Sequence, residues 1–579
     1  MTADAWTATA GGSLLAAIVL LPFVGMLVGL LLGGRWLYRV ALGTMPLGLF
    51  LTLVIAARWA DAKTSFVYLL GNWAPPLGIA LRADGAAVAM LVAVAAIVCA
   101  IGLFARADFA LKPGTQEARS SFAYWLLLLA IWGALNLVFV SGDLFTLYVA
   151  LELLTFAGVP LVCLAGTSET LRAALRYMLF ALFGSVLYLL GAVMLYGGYG
   201  TLDIPLLASA VRPDSMARIA LALMTAGLLA KTALFPLHLW LPPAHGGAPA
   251  AASAVLSALV IKGSWFLILR LWFDVMPGVV TLPAAQLLAG LGASAIVVGS
   301  VVALRQERLK LLVAYSTVAQ IGYLFLLFPL AFEGGKLIHG PAMHAGILQA
   351  ISHATAKAGM FMAAGLVYAG LGHDRLVDLA GAARALPITI LAFAISGLAL
   401  MGVVPSGAYL SKKILLEAAE QSGQWWWTAV LQGGATFTAG YLVLVVGSAL
   451  RQPVAPLSEV KPVSNLSQWA ALALAVSSLV IAFVAIGMEN TDLIKNPIAP
   501  DELGTTLAVL LGGAVLTLGL ARFSLLSEPP ESPLRRLTMV PGAILEQFDR
   551  WVRRWSSATL LLILLTAAFV GLMRVGTTV

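Results

Sequence analysis

The chain has 579 residues, of which 61% are hydrophobic and only 10% are charged. A soluble protein of this length must cover a large water-facing surface with charge, so the composition excludes a soluble globular protein. The formal net charge of +8 is spread over many short loops and gives no sign of nucleic-acid binding. The two cysteines lie in apolar stretches, and neither a phosphate-binding glycine loop nor a metal-ligand spacing occurs, so we predict no cofactor and no metal site.

The N-terminal residues are expected to form a membrane anchor rather than a cleavable signal. Residues 1–12 contain Asp4 but no Lys or Arg, and the first positive charges, Arg35 and Arg39, follow the first apolar run. A cleavable signal has the opposite arrangement, with positive charge before its apolar region.

Apolar stretches long enough to cross a bilayer recur along nearly the whole sequence. Backbone polar groups in hydrocarbon must be satisfied within each segment, and the alternation of a membrane barrel is absent, so the segments must be helices. The sequence predicts an all-α polytopic membrane protein with about 14–16 transmembrane helices. The predicted spans are residues 13–33, 38–57, 86–105, 121–140, 144–165, 173–198, 217–235, 250–272, 283–304, 311–332, 343–370, 387–421, 425–450, 467–487, 503–524 and 556–575. The segment 387–421 is too long for one straight helix, and Pro405 and Gly407 interrupt it.

The distribution of positive charge predicts the orientation of the spans. Most Lys and Arg residues outside the spans lie in the odd-numbered loops, and the positive-inside rule places those loops in the cytoplasm. Both termini are then expected on the periplasmic side of a bacterial inner membrane.

In the last odd-numbered loop, residues 533–555 mix apolar side chains with arginines. This mixture predicts an amphipathic interfacial helix that anchors at the inner leaflet or braces a neighbouring subunit.

Several charged residues lie inside the predicted spans, where each costs at least about 2.5–3.5 kcal/mol on insertion scales. Arg270 lies at a span end and can extend to the interface. The deep residues, on five different spans, are Glu152, Lys231, Lys262, Lys357 and Lys412. One of them alone could belong to a structural ion pair, but five together indicate a path for protons or ions; for the neighbouring Lys413 the sequence indicates no role.

Lysine suits proton transfer because, unlike arginine, it takes up and releases a proton readily as its neighbours change. Glu152 on the fifth span is the expected partner of Lys231 on the seventh, and joining or separating this pair would act as an electrostatic proton switch. On the eleventh span Gln349, His353 and Lys357 are four residues apart and share one helix face. This ladder favours a proton relay over a purely structural polar seam.

Two interrupted spans predict the symmetry of the core. Four prolines between residues 236 and 249 cannot lie in one regular helix, and residues 401–412 contain a second break before Lys412. Broken spans in corresponding places of two halves indicate inverted repeats, here two of five helices each. The predicted division is N-terminal helices (1–120), a first half-channel (121–272), a second half-channel (283–450), and C-terminal helices with the amphipathic segment (451–579).

Four motifs are similar to those of the proton-translocating antiporter-like subunits of respiratory complex I and of the Mrp-type cation/proton antiporters, especially their D subunit. They are residues 143–152 (DLFTLYVALE), 230–249, 311–323 (LLVAYSTVAQIGY) and 353–357 (HATAK). The resemblance covers about residues 120–440 and implies two inverted half-channels around a central hydrophilic axis. The family often has a second proline where Val404 stands.

The resemblance also implies roles for individual residues. Glu152 and Lys231 would form the family's ion pair, and Lys262 would be its central lysine. The relay and the terminal residue of the broken twelfth span would be His353, Lys357 and Lys412. Supporting polar roles are expected for Asp143, His238, His245, Gln349 and Tyr409.

These features predict a proton-translocating subunit of a multi-subunit membrane complex, foremost an Mrp-type monovalent cation (Na⁺ or K⁺)/proton antiporter. The stretch after Arg522 is much shorter than the lateral helix of the largest complex I subunit of this type, which favours the Mrp branch. The expected partners are other membrane subunits, the lipid bilayer, protons and Na⁺ or K⁺.

Two alternatives stay open. One is a subunit that energises inorganic carbon uptake through a partner protein. The other is a proton-pumping membrane-arm subunit of a hydrogenase or NADH:quinone oxidoreductase, without a redox centre of its own. A transporter subunit is favoured over an enzyme, and a purely structural scaffold would not need the row of lysines.

Overall fold

The computed structural model describes residues 7–109, 118–453, 460–486, 500–520 and 533–575. Most of these residues are helical, which confirms the all-α polytopic membrane architecture. The α-helices in chain order are α1 (Ser13–Leu32), α2 (Gly34–Ala62), α3 (Gly85–Phe109), α4 (Arg119–Val140), α5 (Leu144–Val162), α6 (Ser168–Tyr199), α7 (Ile204–Ala210), α8 (Ser215–Thr232), α9 (Leu241–Gly247), α10 (Ala250–Val255), α11 (Ile261–Leu269), α12 (Leu282–Leu304), α13 (Leu309–Tyr323), α14 (Leu327–Leu330), α15 (Pro341–Leu371), α16 (Ala382–Ala385), α17 (Pro387–Met401), α18 (Gly407–Gln421), α19 (Trp425–Leu450), α20 (Asn465–Ile486), α21 (Pro500–Leu520), α22 (Pro533–Val552) and α23 (Trp555–Val575).

Shorter elements interrupt or connect these helices. Two π-helical turns, Leu256–Val260 and Arg270–Val275, flank α11, so that residues 250–275 form one continuous helical segment. Strand β1 (Phe66–Leu69) pairs antiparallel with β2 (Ala80–Ala83), and β3 (Phe332–Glu333) with β4 (Lys336–Leu337). Both hairpins lie in connections between spans.

Thirteen helical segments among the described residues are long and apolar enough to cross a membrane. The other three predicted spans correspond to α8, to α17 with α18, and to α21. Helix α8 contains Arg218 and Lys231, which lower its hydropathy, and the apolar parts of α17 and α21 are short. Every predicted span therefore coincides with a helix or a broken helix pair, although only thirteen segments meet the criterion.

Contacts between loops agree with the predicted alternation of the spans. At one end of the bundle, even-numbered loops touch through isolated backbone β-bridges, between Leu81 and Ser141 and between Asp143 and Asp203. At the other end, odd-numbered loops touch. The backbones of Arg308 and Arg375 form a β-bridge, and the Gly381 amide donates a hydrogen bond to the Arg451 carbonyl. A miscounted span would have mixed the two sets.

The first predicted break follows Lys231. Helix α8 ends at Thr232 rather than at the expected residue 235, because Ala233 adopts a left-handed conformation with φ of 58°. The indole nitrogen of Trp240 donates to the Ala230 carbonyl at 3.0 Å. This carbonyl also accepts from the Ala233 amide at 3.3 Å, so it is satisfied within the protein, as burial in a membrane core requires.

The second predicted break separates α17 from α18. Gly402, with φ of 84°, caps α17, and the Ser406 hydroxyl accepts from the Tyr409 amide at 3.1 Å to begin α18. The interruption therefore runs over residues 402–406 and includes Pro405, as predicted. Gly407 is the first residue of α18 rather than part of the break.

Candidate functional site

The Glu152–Lys231 pair expected from the sequence is present. The Lys231 Nζ lies 3.2 Å from Glu152 Oε1, and the two side chains are only 5% and 13% exposed. The ammonium also donates to Thr155 Oγ1 at 2.9 Å and to the Leu151 carbonyl at 3.4 Å. All three acceptors lie on one turn of α5, so a buried charge receives the hydrogen bonds that its burial requires.

A buried hydroxyl pair adjoins Lys231 and lies close to Lys262 in the chain. Thr232, adjacent to Lys231 in the chain, donates to Ser264 Oγ at 2.8 Å. Ser264 lies in α11, two residues after Lys262. Both hydroxyls are buried, and hydroxyls can both donate and accept, which is what a proton relay needs.

Lys262 is held at a π-helical turn. Its Nζ donates to the Ser257 carbonyl at 3.0 Å, five residues earlier in the chain. The wider turn over Leu256–Val260 leaves this carbonyl accessible to a side chain, a use of π-turns common at functional sites. The same nitrogen forms a short hydrogen bond with His353 Nδ1, so α11 and α15 meet at these two residues.

His353 and Lys357 are both buried in α15, on the face predicted from their spacing. Lys357 Nζ donates to Ser316 Oγ at 2.5 Å and to the Val313 carbonyl at 3.4 Å, both on α13. It also lies 6.0 Å from the centre of the Tyr441 ring on α19. The second half of the chain thus surrounds Lys357 with neutral acceptors, whereas Lys231 faces a carboxylate.

The far end of the predicted path is less densely connected. Lys412 is half-buried on α18, and its ammonium has no hydrogen bond or ion pair with the described part of the chain. The neighbouring Ser411 donates to the Ala345 carbonyl on α15 at 2.7 Å, and Tyr409 donates to Glu502 at 2.7 Å. Gln349 is buried one helical turn before His353.

The remaining polar residues of the prediction lie in different settings. Asp143 is a structural cap: its Oδ1 accepts from the Thr146 amide at 2.8 Å at the start of α5. His245 is buried and stacks on Phe361, and neither of its ring nitrogens bonds to a described residue. His238 lies 2.7 Å from Asp549 Oδ1.

Sequence reasoning missed the hydroxyl partners and Asp549. Thr155, Ser264 and Ser316 resemble the many Ser and Thr residues that bond to their own helix backbone, so only a contact across helices distinguishes them. Asp549 lies four residues before Arg553, a spacing that indicates an ion pair on an interfacial helix rather than a buried carboxylate.

A second charged cluster lies at the end of the bundle formed by the even-numbered loops. Arg270, expected to extend to the interface, is instead bonded to Asp84 at 2.6 and 2.8 Å and to Asp274 at 2.8 Å. These residues line a cavity of about 360 Å³ together with Arg82 and His339. Within the described ranges, no group of three or more His, Cys, Asp or Glu side chains is arranged to hold a metal ion.

The cluster predicts a pH dependence of stability. His339 Nε2 lies 3.2 Å from Asp274 Oδ1, and this hydrogen bond, which outweighs burial, raises the pKa of His339 above its ordinary value. The contact between protonated His339 and Asp274 therefore contributes fully to folding stability below the ordinary histidine pKa. This contribution is lost as pH rises through the raised pKa. His339→Gln should flatten the dependence of the melting temperature on pH in this range. Asp274→Asn should have the same effect, and an unchanged pH slope in both variants would contradict the assignment.

Comparison with known proteins identifies similar chains. The family described as NADH:quinone oxidoreductase/Mrp antiporter, TM, matches residues 141–458. The N subunit of an NADH-quinone oxidoreductase from Desulforudis audaxviator is 35% identical over 446 residues, 74% of this chain and 86% of that protein. The D subunit of a Na⁺/H⁺ antiporter from Alkalihalophilus pseudofirmus is 31% identical over 69% of this chain and 79% of that protein.

Two solved structures share the fold. A chain of the Mrp complex from Dietzia sp. DQ12-45-1b superposes with a TM-score of 0.72 at 23% identity, covering 89% of this chain and 98% of that one. A chain of an archaeal membrane-bound sulfane sulfur reductase gives a TM-score of 0.72 at 22% identity, covering 87% and 99%. Both are parts of multi-subunit membrane complexes.

Proposed function

Because the chain belongs to the NADH:quinone oxidoreductase/Mrp antiporter transmembrane family, we propose that it is the proton-translocating subunit of an Mrp-type cation/proton antiporter complex. The observation that carries this proposal is the buried row of Glu152, Lys231, Lys262, His353 and Lys357. Glu152 bonds to Lys231, and Lys262 bonds to His353. The hydroxyls of Thr232 and Ser264 bond to each other beside the two lysines in the chain, and Lys357 follows His353 by one turn of α15. Such intramembrane ionisable rows are costly and typical of proton relays.

In the proposed mechanism the Glu152–Lys231 pair is the switch. A proton that reaches Glu152 removes the negative charge beside Lys231, and the ammonium then loses its main electrostatic stabilisation. Its proton passes to the hydroxyl pair Thr232–Ser264 and on to a neutral Lys262. His353, bonded to Lys262 through Nδ1, carries the proton toward Lys357.

The exit is proposed near Lys412. Positive-inside asymmetry places the odd-numbered loops in the cytoplasm and both termini in the periplasm of a bacterial inner membrane. The coupled ion is proposed to be Na⁺ or K⁺, and the partners are other membrane subunits.

A second candidate is supported by one comparison. The 35% identity to the N subunit of an NADH-quinone oxidoreductase fits a proton pump that is powered by redox chemistry elsewhere in its complex. The chain's own residues would act in the same way in both cases. The driving reaction separates the two candidates, since only the antiporter exchanges protons for added cations in the absence of electron donors.

The test is cation/proton exchange in inverted vesicles that contain the whole complex. Glu152→Ala and Lys231→Ala should each lower the exchange rate per assembled complex at least about tenfold, because each removes one member of the proposed proton switch. Glu169→Gln, at an exposed position in the first turn of α6, is the control and should retain the wild-type rate. Intact exchange in both Ala variants would refute the proposed path.

A further inference from the structure

Helix α22 buries one carboxylate against the protein, while several of its large apolar side chains are exposed. Asp549, Gly542 and Val552 are buried, whereas Ile544 and Phe548 are largely exposed. A helix lying on a soluble surface would show the reverse arrangement. The exposed apolar side chains suit contact with lipid, whereas the buried carboxylate needs a separate explanation.

Asp549 has three partners from three segments of the chain. His238 lies 2.7 Å from its Oδ1, Tyr315 donates to Oδ2 at 3.0 Å, and Arg553 Nε donates to Oδ2 at 2.8 Å. The side chain is only 1% exposed. Burial acts to raise the pKa of Asp549, but His238 and Arg553 outweigh it and hold the pKa below its ordinary value.

Two of these partners adjoin the row of buried lysines. His238 lies in the broken segment that follows Lys231 at the end of α8. Tyr315 directly precedes Ser316, whose hydroxyl accepts from Lys357 at 2.5 Å. One carboxylate therefore contacts the break beside the first lysine and the helix that binds a later one.

A second contact fixes α22 against the rest of the chain. Glu546, three residues before Asp549, accepts from Arg305 Nε at 2.9 Å at the end of α12. With α22 held in this way, a shift of His238 or Tyr315 must stretch a bond to the same buried carboxylate. Buried ionic groups tolerate such a loss poorly, so the two segments are expected to move together.

We propose that Asp549 is a positioning residue that couples the two halves of the proton path, transmitting a rearrangement at the Lys231 break to the Ser316–Lys357 contact. This inference rests on the proposed function and deepens it. It also assigns α22 a role within its own chain, whereas the sequence suggested an anchor or a brace against a neighbouring subunit.

The test compares Asp549→Asn, Tyr315→Phe and the double variant in inverted vesicles that contain the whole complex, with rates expressed per assembled complex. Each single variant should lower the maximal rate of Na⁺- or K⁺-dependent proton uptake at least fivefold. The cation concentration for half-maximal rate should stay within twofold of wild type. The double variant should fall no more than twofold below Asp549→Asn, because both changes break one link.

The control is Arg550→Gln, an exposed neighbour on the same helix. Wild-type maximal rates in Tyr315→Phe, or multiplicative losses in the double variant, would overturn the proposal. Tyr315→Phe removes only a hydroxyl, so its maximal rate tests the proposed coupling even if the Asp549→Asn complex fails to assemble. If Glu152→Ala abolishes transport while Tyr315→Phe leaves it intact, the coupling fails and the proton path stands; intact transport in Glu152→Ala would refute the path itself.

Discussion

Replacement of Lys262 by methionine is expected to lower proton transport about 100-fold, a loss typical of removing a positioned proton donor. Methionine is unbranched and of similar length, so the packing of this buried position should survive. It cannot donate to the Ser257 carbonyl or to His353, which removes the link between α11 and α15. The measurement is the initial rate of proton uptake per assembled complex in inverted vesicles.

The matched control is Lys336→Met, which removes an exposed lysine from strand β4. It should leave both the rate and the amount of complex unchanged. A rate above half of wild type in Lys262→Met would mean that protons bypass this lysine, and the proposed order of the row would then be wrong.

Replacement of Gly227 by leucine is expected to prevent accumulation of the folded chain. A Cβ at this position would lie 2.3 Å from the Gly184 carbonyl oxygen, and one at Gly184 would lie 2.5 Å from the Gly227 oxygen. Both obstacles are backbone atoms, so helices α6 and α8 would have to separate. Close approach at small residues is a main source of helix association in lipid.

The free-energy cost should exceed the roughly 1–3 kcal/mol of ordinary overpacking, because leucine adds a whole side chain where not even a methyl group fits. Separation of the helices would also displace Lys231, one turn after Gly227, from Glu152. The measurements are the amount of complex in membranes and its melting temperature in detergent. Gly197→Leu, also on α6 but with open space around its Cβ, should behave as wild type. Equal amounts and melting temperatures for both variants would contradict the packing argument.

Much of the architecture follows from local composition. A charge in hydrocarbon is costly wherever it lies, so Glu152 and Lys231 stand out in the sequence before any contact is known. Proline cannot continue a regular helix, so the breaks near Pro236 and Pro405 are also visible. Loop contacts bear out the parity of the predicted spans, although three predicted spans fall below the length or apolarity of a typical membrane helix.

Other features have no local signal. The π-turns around Lys262 contain no proline and result from how α11 packs and which carbonyl its lysine reaches. Arg270 looks like a residue reaching the interface, yet it is paired with Asp84 from a distant part of the chain. Asp143 looks like part of the polar path but caps a helix.

Composition, helix breakers and spacing are sufficient to predict a many-pass helical bundle with buried lysines. The free-energy cost of a charge in lipid or of a proline in a helix depends on that residue and its immediate surroundings, so both features are visible in the sequence. Packing between distant helices decides which hydroxyl meets which lysine. It also brings Asp549 to His238 and Tyr315, each more than 230 residues away in the chain. Such contacts involve common residue types whose partners are specified by distance in space and not by distance along the chain.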